Sequence, residues 1–69
     1  MLDKRIKELR KQRSWSQQKL AEKTNLSFNV ITKIEQGLTK HPTLKTLLKL
    51  ADVFNISLDE LIKRETYNK

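Results

Sequence analysis

The chain has 69 residues, a net charge of +7, no cysteine, and one residue each of Gly, Pro and His. A chain this short makes one domain that buries only about 60% of its unfolded surface. Without cysteine, neither disulfides nor a thiolate zinc site can reinforce it. No apolar stretch is long enough to span a bilayer, and the basic N-terminus lacks the apolar run of a signal peptide, so the expected location is the cytoplasm.

No strand alternation stands out, and the spacing of apolar residues predicts five helices in an all-α fold. The first spans roughly positions 3 to 12, with Ile6 and Leu9 on its inner face. The second follows Ser16, an N-cap residue type, with Trp15 and Leu20 at the two positions of a hydrophobic staple. It is expected to end near Thr24, where Asn25 can take the left-handed turn. Ser27 caps the third helix, with Leu26 and Ile31 at staple spacing, and Gly37 reads as its C′ residue.

A polar loop from Leu38 to Pro42 follows. Thr43 is the expected cap of the fourth helix, whose inner face is read as Leu44, Leu47, Leu48, Ala51 and Phe54. Ser57 opens the fifth, with Glu60 completing a capping box and Ile56 and Leu61 forming a staple. The expected division is a domain over 1–63 and a polar tail over 64–69.

The charge is uneven. Residues 1–40 carry ten basic and four acidic groups, while residues 41–69 carry five and four. The positive field therefore belongs to the N-terminal half, where it would attract a polyanion or simply keep the surface solvated. Lys4, Arg5, Lys7, Lys11 and Arg13 are expected to act mainly through that field.

Residues 16–37 read as two short helices joined by a tight turn. Leu20, Ala21, Thr24, Leu26, Ile31 and Ile34 can face inward. Ala21 suits the close approach of two steeply crossing helices, so the pattern fits a helix-turn-helix better than one straight amphipathic helix.

At this point the chain resembles the Cro and phage-repressor type of helix-turn-helix proteins, the XRE-like family. The matching residues are Trp15-Ser16-Gln17, Leu20-Ala21, Leu26-Ser27, Ile31 and Ile34-Glu35-Gln36-Gly37. The runs Pro42-Thr43-Leu44, Leu47 to Ala51 and Ser57 to Leu61 also match, so the resemblance covers about positions 5 to 62. It implies a lambda-repressor-like domain of five helices, with the third in the DNA major groove and a symmetric dimer presenting it twice. Asn25 stands where the family usually has Gly, and Phe28 where polar or basic residues are frequent.

With Ile31 and Ile34 inside, a helix turning about 100° per residue directs Phe28, Asn29, Thr32, Lys33 and Gln36 outward. Asn29 can pair bidentately with adenine, and Lys33 can reach guanine or a phosphate. Thr32 can meet a base methyl or cover the helix flank. For Phe28 three options stand: packing on a thymine methyl, folding back onto the core, or contact with a protein partner. The expected base contacts are thus Phe28, Asn29, Thr32 and Lys33.

Gln17, in the first turn of the second helix, is expected against a phosphate, and the resemblance implies the same. Ser16, Gln36, Thr39, Lys40 and Thr43 are further candidates for the DNA backbone, although each also reads as plain solvated surface. The resemblance also implies an Arg10–Glu35 ion pair across the core, structural rather than base-reading. Val53, Ile56 and Leu58, with His41 beside them, are the candidate dimer contacts.

The leading function is therefore a dimeric, sequence-specific regulator of transcription bound to double-stranded DNA, with repression as the simplest outcome. A protein-interaction module such as an antitoxin or adaptor is the alternative, with Phe28 as its best support. No enzyme is expected: there is no Gly-rich phosphate loop, Cys nucleophile or metal-ligand cluster, and neither a cofactor nor a small-molecule ligand is evident. The four aromatics do not read as a stacking surface for RNA.

Overall fold

The computed structural model of the chain describes residues 2–39 and 41–62. Those residues form α1 (Leu2–Gln12), α2 (Gln17–Thr24), α3 (Phe28–Glu35), α4 (Leu44–Phe54) and α5 (Leu58–Ile62). The tail 64–69 lies outside the described residues.

Local chemistry starts each helix after the first. The Ser16, Ser27 and Thr43 hydroxyls accept from the backbone N–H groups of Lys19, Val30 and Thr46, satisfying donors that have no partner inside their own helix. Ser57 and Glu60 form the reciprocal box. The Glu60 N–H donates to Ser57 Oγ at 3.0 Å and the Ser57 N–H to Glu60 Oε1 at 3.2 Å.

The first four helices end alike. Ser14, Asn25, Gly37 and Asn55 each have φ between +59° and +78°. The next residue's N–H returns to a carbonyl five positions back: Trp15 to Arg10, Leu26 to Ala21, Leu38 to Lys33 and Ile56 to Ala51. This is the Schellman motif, which closes orphan carbonyls and reverses the chain. Trp15, Leu26 and Ile56 then fold back against the core, whereas Leu38 stays two-thirds exposed.

The core draws on all five helices: Ile6 and Leu9, Leu20 and Ala21, Ile31 and Ile34, Leu50, Ala51 and Phe54, and Leu61. Helix α3 lies against both α1 and α2, while α5 closes the far side against α1 and α4.

The face of α4 differs from the expected one. Leu44 and Leu48 are exposed, and Leu50 is fully buried. Seven apolar residues in an eleven-residue helix allow two stripes, 44-47-48-51 or 47-50-51-54. Packing against α2 and α5 selects the second.

Two arginines also depart from a purely long-range role. Arg13 donates to the carbonyls of Leu9 and Phe54, at 3.1 and 2.7 Å, and Arg5 Nε donates to the Glu60 carbonyl. Arg5 thus ties α1 to α5, and Arg13, just past α1, ties the end of α1 to the C-terminal end of α4.

Candidate nucleic-acid interface

The second and third helices present one polar face. Within α3, Ile31 and Ile34 are buried, and Glu35 at its last turn is only 3% exposed. Phe28 (46% exposed), Asn29, Lys33 and Gln36 face solvent, while Val30 and Thr32 are half-buried on the flanks. The option that Phe28 folds back onto the core is thereby set aside: nearly half its surface is open at the first position of the helix.

The back of this face is locked by charge. Arg10 Nε and Nη2 donate to the two Glu35 carboxylate oxygens at 2.7 and 3.0 Å, the side-on geometry that suits a planar guanidinium. Arg10 Nη1 donates to the Trp15 carbonyl at 2.8 Å, and Gln17 Nε2 donates to Glu35 Oε1 at 3.0 Å. One buried carboxylate thus joins α1, the start of α2 and the end of α3.

That network changes the reading of Gln17. Its side-chain amide donates to Glu35, so that amide is not left free for an incoming anion. Ser16 and Thr43 have their hydroxyls occupied as caps, Thr43 also donating to Thr46 Oγ1. Thr32 donates its hydroxyl proton to the Asn29 carbonyl. Gln36 is exposed and Thr39 half-buried. Lys40 lies outside the described residues. Val53, Ile56 and Leu58 are half-buried and packed on the core, each keeping some outer surface.

The first turns of α2, α3 and α4 contain no acidic residue, whereas α1 carries Asp3 and α5 carries Asp59 and Glu60 there. Three positive helix ends are therefore free of a carboxylate from their own first turn that would compete with an incoming anion. Among the described residues no His, Cys, Asp and Glu group can hold a metal ion, and no helix is long and apolar enough to cross a membrane.

Sequence reasoning missed an aromatic clamp behind α2. Trp15 stacks on Phe54 with ring centroids 5.9 Å apart, Arg13 lies over both rings, and Lys23 Nζ sits 4.9 Å from the Trp15 centroid. Basic side chains flanking a Trp in sequence are the only hint of it.

A family model described as helix-turn-helix matches residues 6–61. The HTH-type transcriptional regulator ImmR of Bacillus subtilis is 35% identical over 68 residues, covering 99% of this chain and 53% of its own. SinR of the same organism is 34% identical over 68 residues, covering 96% of this chain and 61% of its own. AnsR, also from that organism, is 38% identical over 61 residues, covering 88% and 52%. The chain thus spans about half to three fifths of these relatives. No solved structure matches. With the family match running from α1 into α5, over the same helices that build the polar face, the chain belongs to the XRE-like, Cro and phage-repressor family of helix-turn-helix proteins.

Proposed function

We propose that the chain is a sequence-specific DNA-binding regulator of transcription, working as a dimeric repressor with α3 in the major groove of a palindromic operator. The observation that carries this reading is the combination on α3 itself. Asn29, Lys33 and Phe28 face outward from a helix that Glu35 pins from behind, so the reading groups sit on a rigid support. A major groove about 12 Å wide admits one helix.

Base contacts are assigned to Phe28, Asn29, Thr32 and Lys33. Backbone contacts are assigned to Ser16, Gln17, Gln36, Thr39, Lys40 and Thr43, helped by the open N-terminal ends of α2 and α4. The partly exposed Val53, Ile56 and Leu58 at the α4–α5 corner supply the two-fold contact. A two-fold pair then sets half-sites roughly 34 Å apart, one turn of the duplex. The names of ImmR, SinR and AnsR as HTH-type transcriptional regulators support the regulatory role.

Mobility shift against salt tests the reading. Direct binding gives log affinity falling with log salt by about 0.9 per phosphate contacted. A flat or absent response would instead favour a protein partner docking on the exposed Phe28.

A further inference from the structure

The cations of α1 are sorted by residue type. Arg5 bonds to the Glu60 carbonyl, and Arg10 to Glu35 and the Trp15 carbonyl, so both arginines are spent inside the fold. Lys4, Lys7 and Lys11 are all exposed. At about 100° per residue they fall within about 60° of arc, on the side of the helix opposite the buried Ile6 and Leu9. They form one row about 10 Å long.

That row works against local stability. Lys4 and Lys7, then Lys7 and Lys11, are like charges at i,i+3 and i,i+4, which weaken a helix. Lys4 also stands in the first turn of α1, where the helix dipole disfavours a cation. Among the described residues none of the three lysines makes an ion pair or hydrogen bond. Asp3 and Glu8 stand within one turn of the row but bridge to none of it. A charge conflict with no return inside the fold points to a partner outside the chain. No apolar side chain stands in the row, whereas the cores of protein interfaces are poor in Lys and built on aromatic anchors. Phosphates need only positive charge within reach, which Lys supplies as a flexible point charge. Over about 10 Å of axis a duplex presents about six charges, two for each lysine.

We propose that Lys4, Lys7 and Lys11 form a second, sequence-independent DNA face, which holds the phosphate backbone of a separate duplex while α3 reads its own. Helix α1 packs on α3 and α5 with its opposite side, so the row turns away from the duplex in front of α3. The chain then bridges two DNA segments. This inference rests on the DNA-binding reading of α3. Three point charges make the second contact weak, and its log affinity falls with log salt by about 2.7, or about 0.9 per lysine.

The test mixes the chain at low salt with two mixed-sequence duplexes, one carrying a donor dye and one an acceptor. Energy transfer reports bridging, and mobility shift of one duplex alone reports binding through α3. The parent chain is expected to give both. The triple variant Lys4→Gln, Lys7→Gln, Lys11→Gln should keep the mobility shift, lose the energy transfer, and melt no lower than the parent. A control with Lys23→Gln, Lys45→Gln and Lys49→Gln, which removes the same charge elsewhere, should keep both signals. Energy transfer that survives in the row variant would overturn the proposal, as would equal loss in the control, which would reduce the row to net charge. A lower melting temperature for the row variant would overturn it too, by showing that the lysines serve the fold. Labelled polyglutamate captured by the row where a second duplex is not would replace DNA with an acidic protein. Loss of the mobility shift along with the energy transfer in the row variant would instead mark failure of the α3 reading on which the proposal rests.

Discussion

Arg10 meets Glu35 side-on, Nε 2.7 Å from Oε2 and Nη2 3.0 Å from Oε1, and in doing so fixes the end of α3 to α1. The Glu35 side chain is 1% exposed and that of Arg10 11%, so the pair is desolvated and not a surface bridge. Such a pair is weak evidence for net stability, because desolvation offsets attraction. Removing one partner is another matter: it strands the other charge.

Glu35→Gln is therefore expected to cost about 3 kcal/mol, near the lower end for breaking a buried pair since Arg10 keeps some solvent. In a domain this small that lowers Tm by more than about 10 °C. Arg10→Met combined with Glu35→Met should lose less than the two single changes added together. Thermal unfolding followed by circular dichroism checks both, and an unchanged Tm for Glu35→Gln would remove the pair from the account.

Arg13→Lys is the second variant. Arg13 donates to two carbonyls and lies 5.1 Å from the Phe54 ring centroid, a set that a single ammonium cannot reproduce. A loss of about 1.5–3 kcal/mol is expected. Urea unfolding measures it; a variant as stable as the parent would show that Arg13 acts only through its charge.

Ser14 carries φ of +59° with a side chain that gains nothing from it. A left-handed L-residue costs roughly 1–2 kcal/mol, a penalty Gly escapes. Ser14→Gly should raise Tm by several degrees, and Ser14→Val should lower it. The same melting curves decide, and a lower Tm for Ser14→Gly would contradict the assigned strain.

How far the sequence could be read depends on how local the signal is. The caps at Ser16, Ser27, Thr43 and Ser57 and the turns at Asn25 and Gly37 involve residues within a few positions of each other, and they were legible. The buried face of α4 was not, because apolar residues surround most of that helix and only its neighbours choose between stripes. Arg5 and Arg13 bind backbone carbonyls 55 and 41 positions away, and a carbonyl leaves no trace in residue identity. The inward turn of the Gln17 amide was hidden for a related reason: position 17 looks the same whether its side chain meets a phosphate or Glu35.

Phe28 supplies the fourth prediction. At 46% exposure and outside the core cluster, it contributes little to stability, so Phe28→Ala should change the unfolding free energy by less than about 0.5 kcal/mol. Its effect should appear on DNA. If it packs on a thymine methyl, replacing that thymine by deoxyuridine weakens binding of the parent chain and leaves Phe28→Ala indifferent. Equal weakening of both chains would place the methyl against another residue, such as Thr32.

The most direct test of the central claim, that the outer face of α3 reads duplex DNA, is selection of bound sequences from random duplexes, run on the parent chain and on Asn29→Ala. The account predicts enrichment of two inverted half-sites centred one helical turn apart. For Asn29→Ala it predicts binding weaker by about 1–3 kcal/mol, with relaxed choice at one position in each half-site. No enrichment, or the same sequences at the same strength from Asn29→Ala, would contradict it.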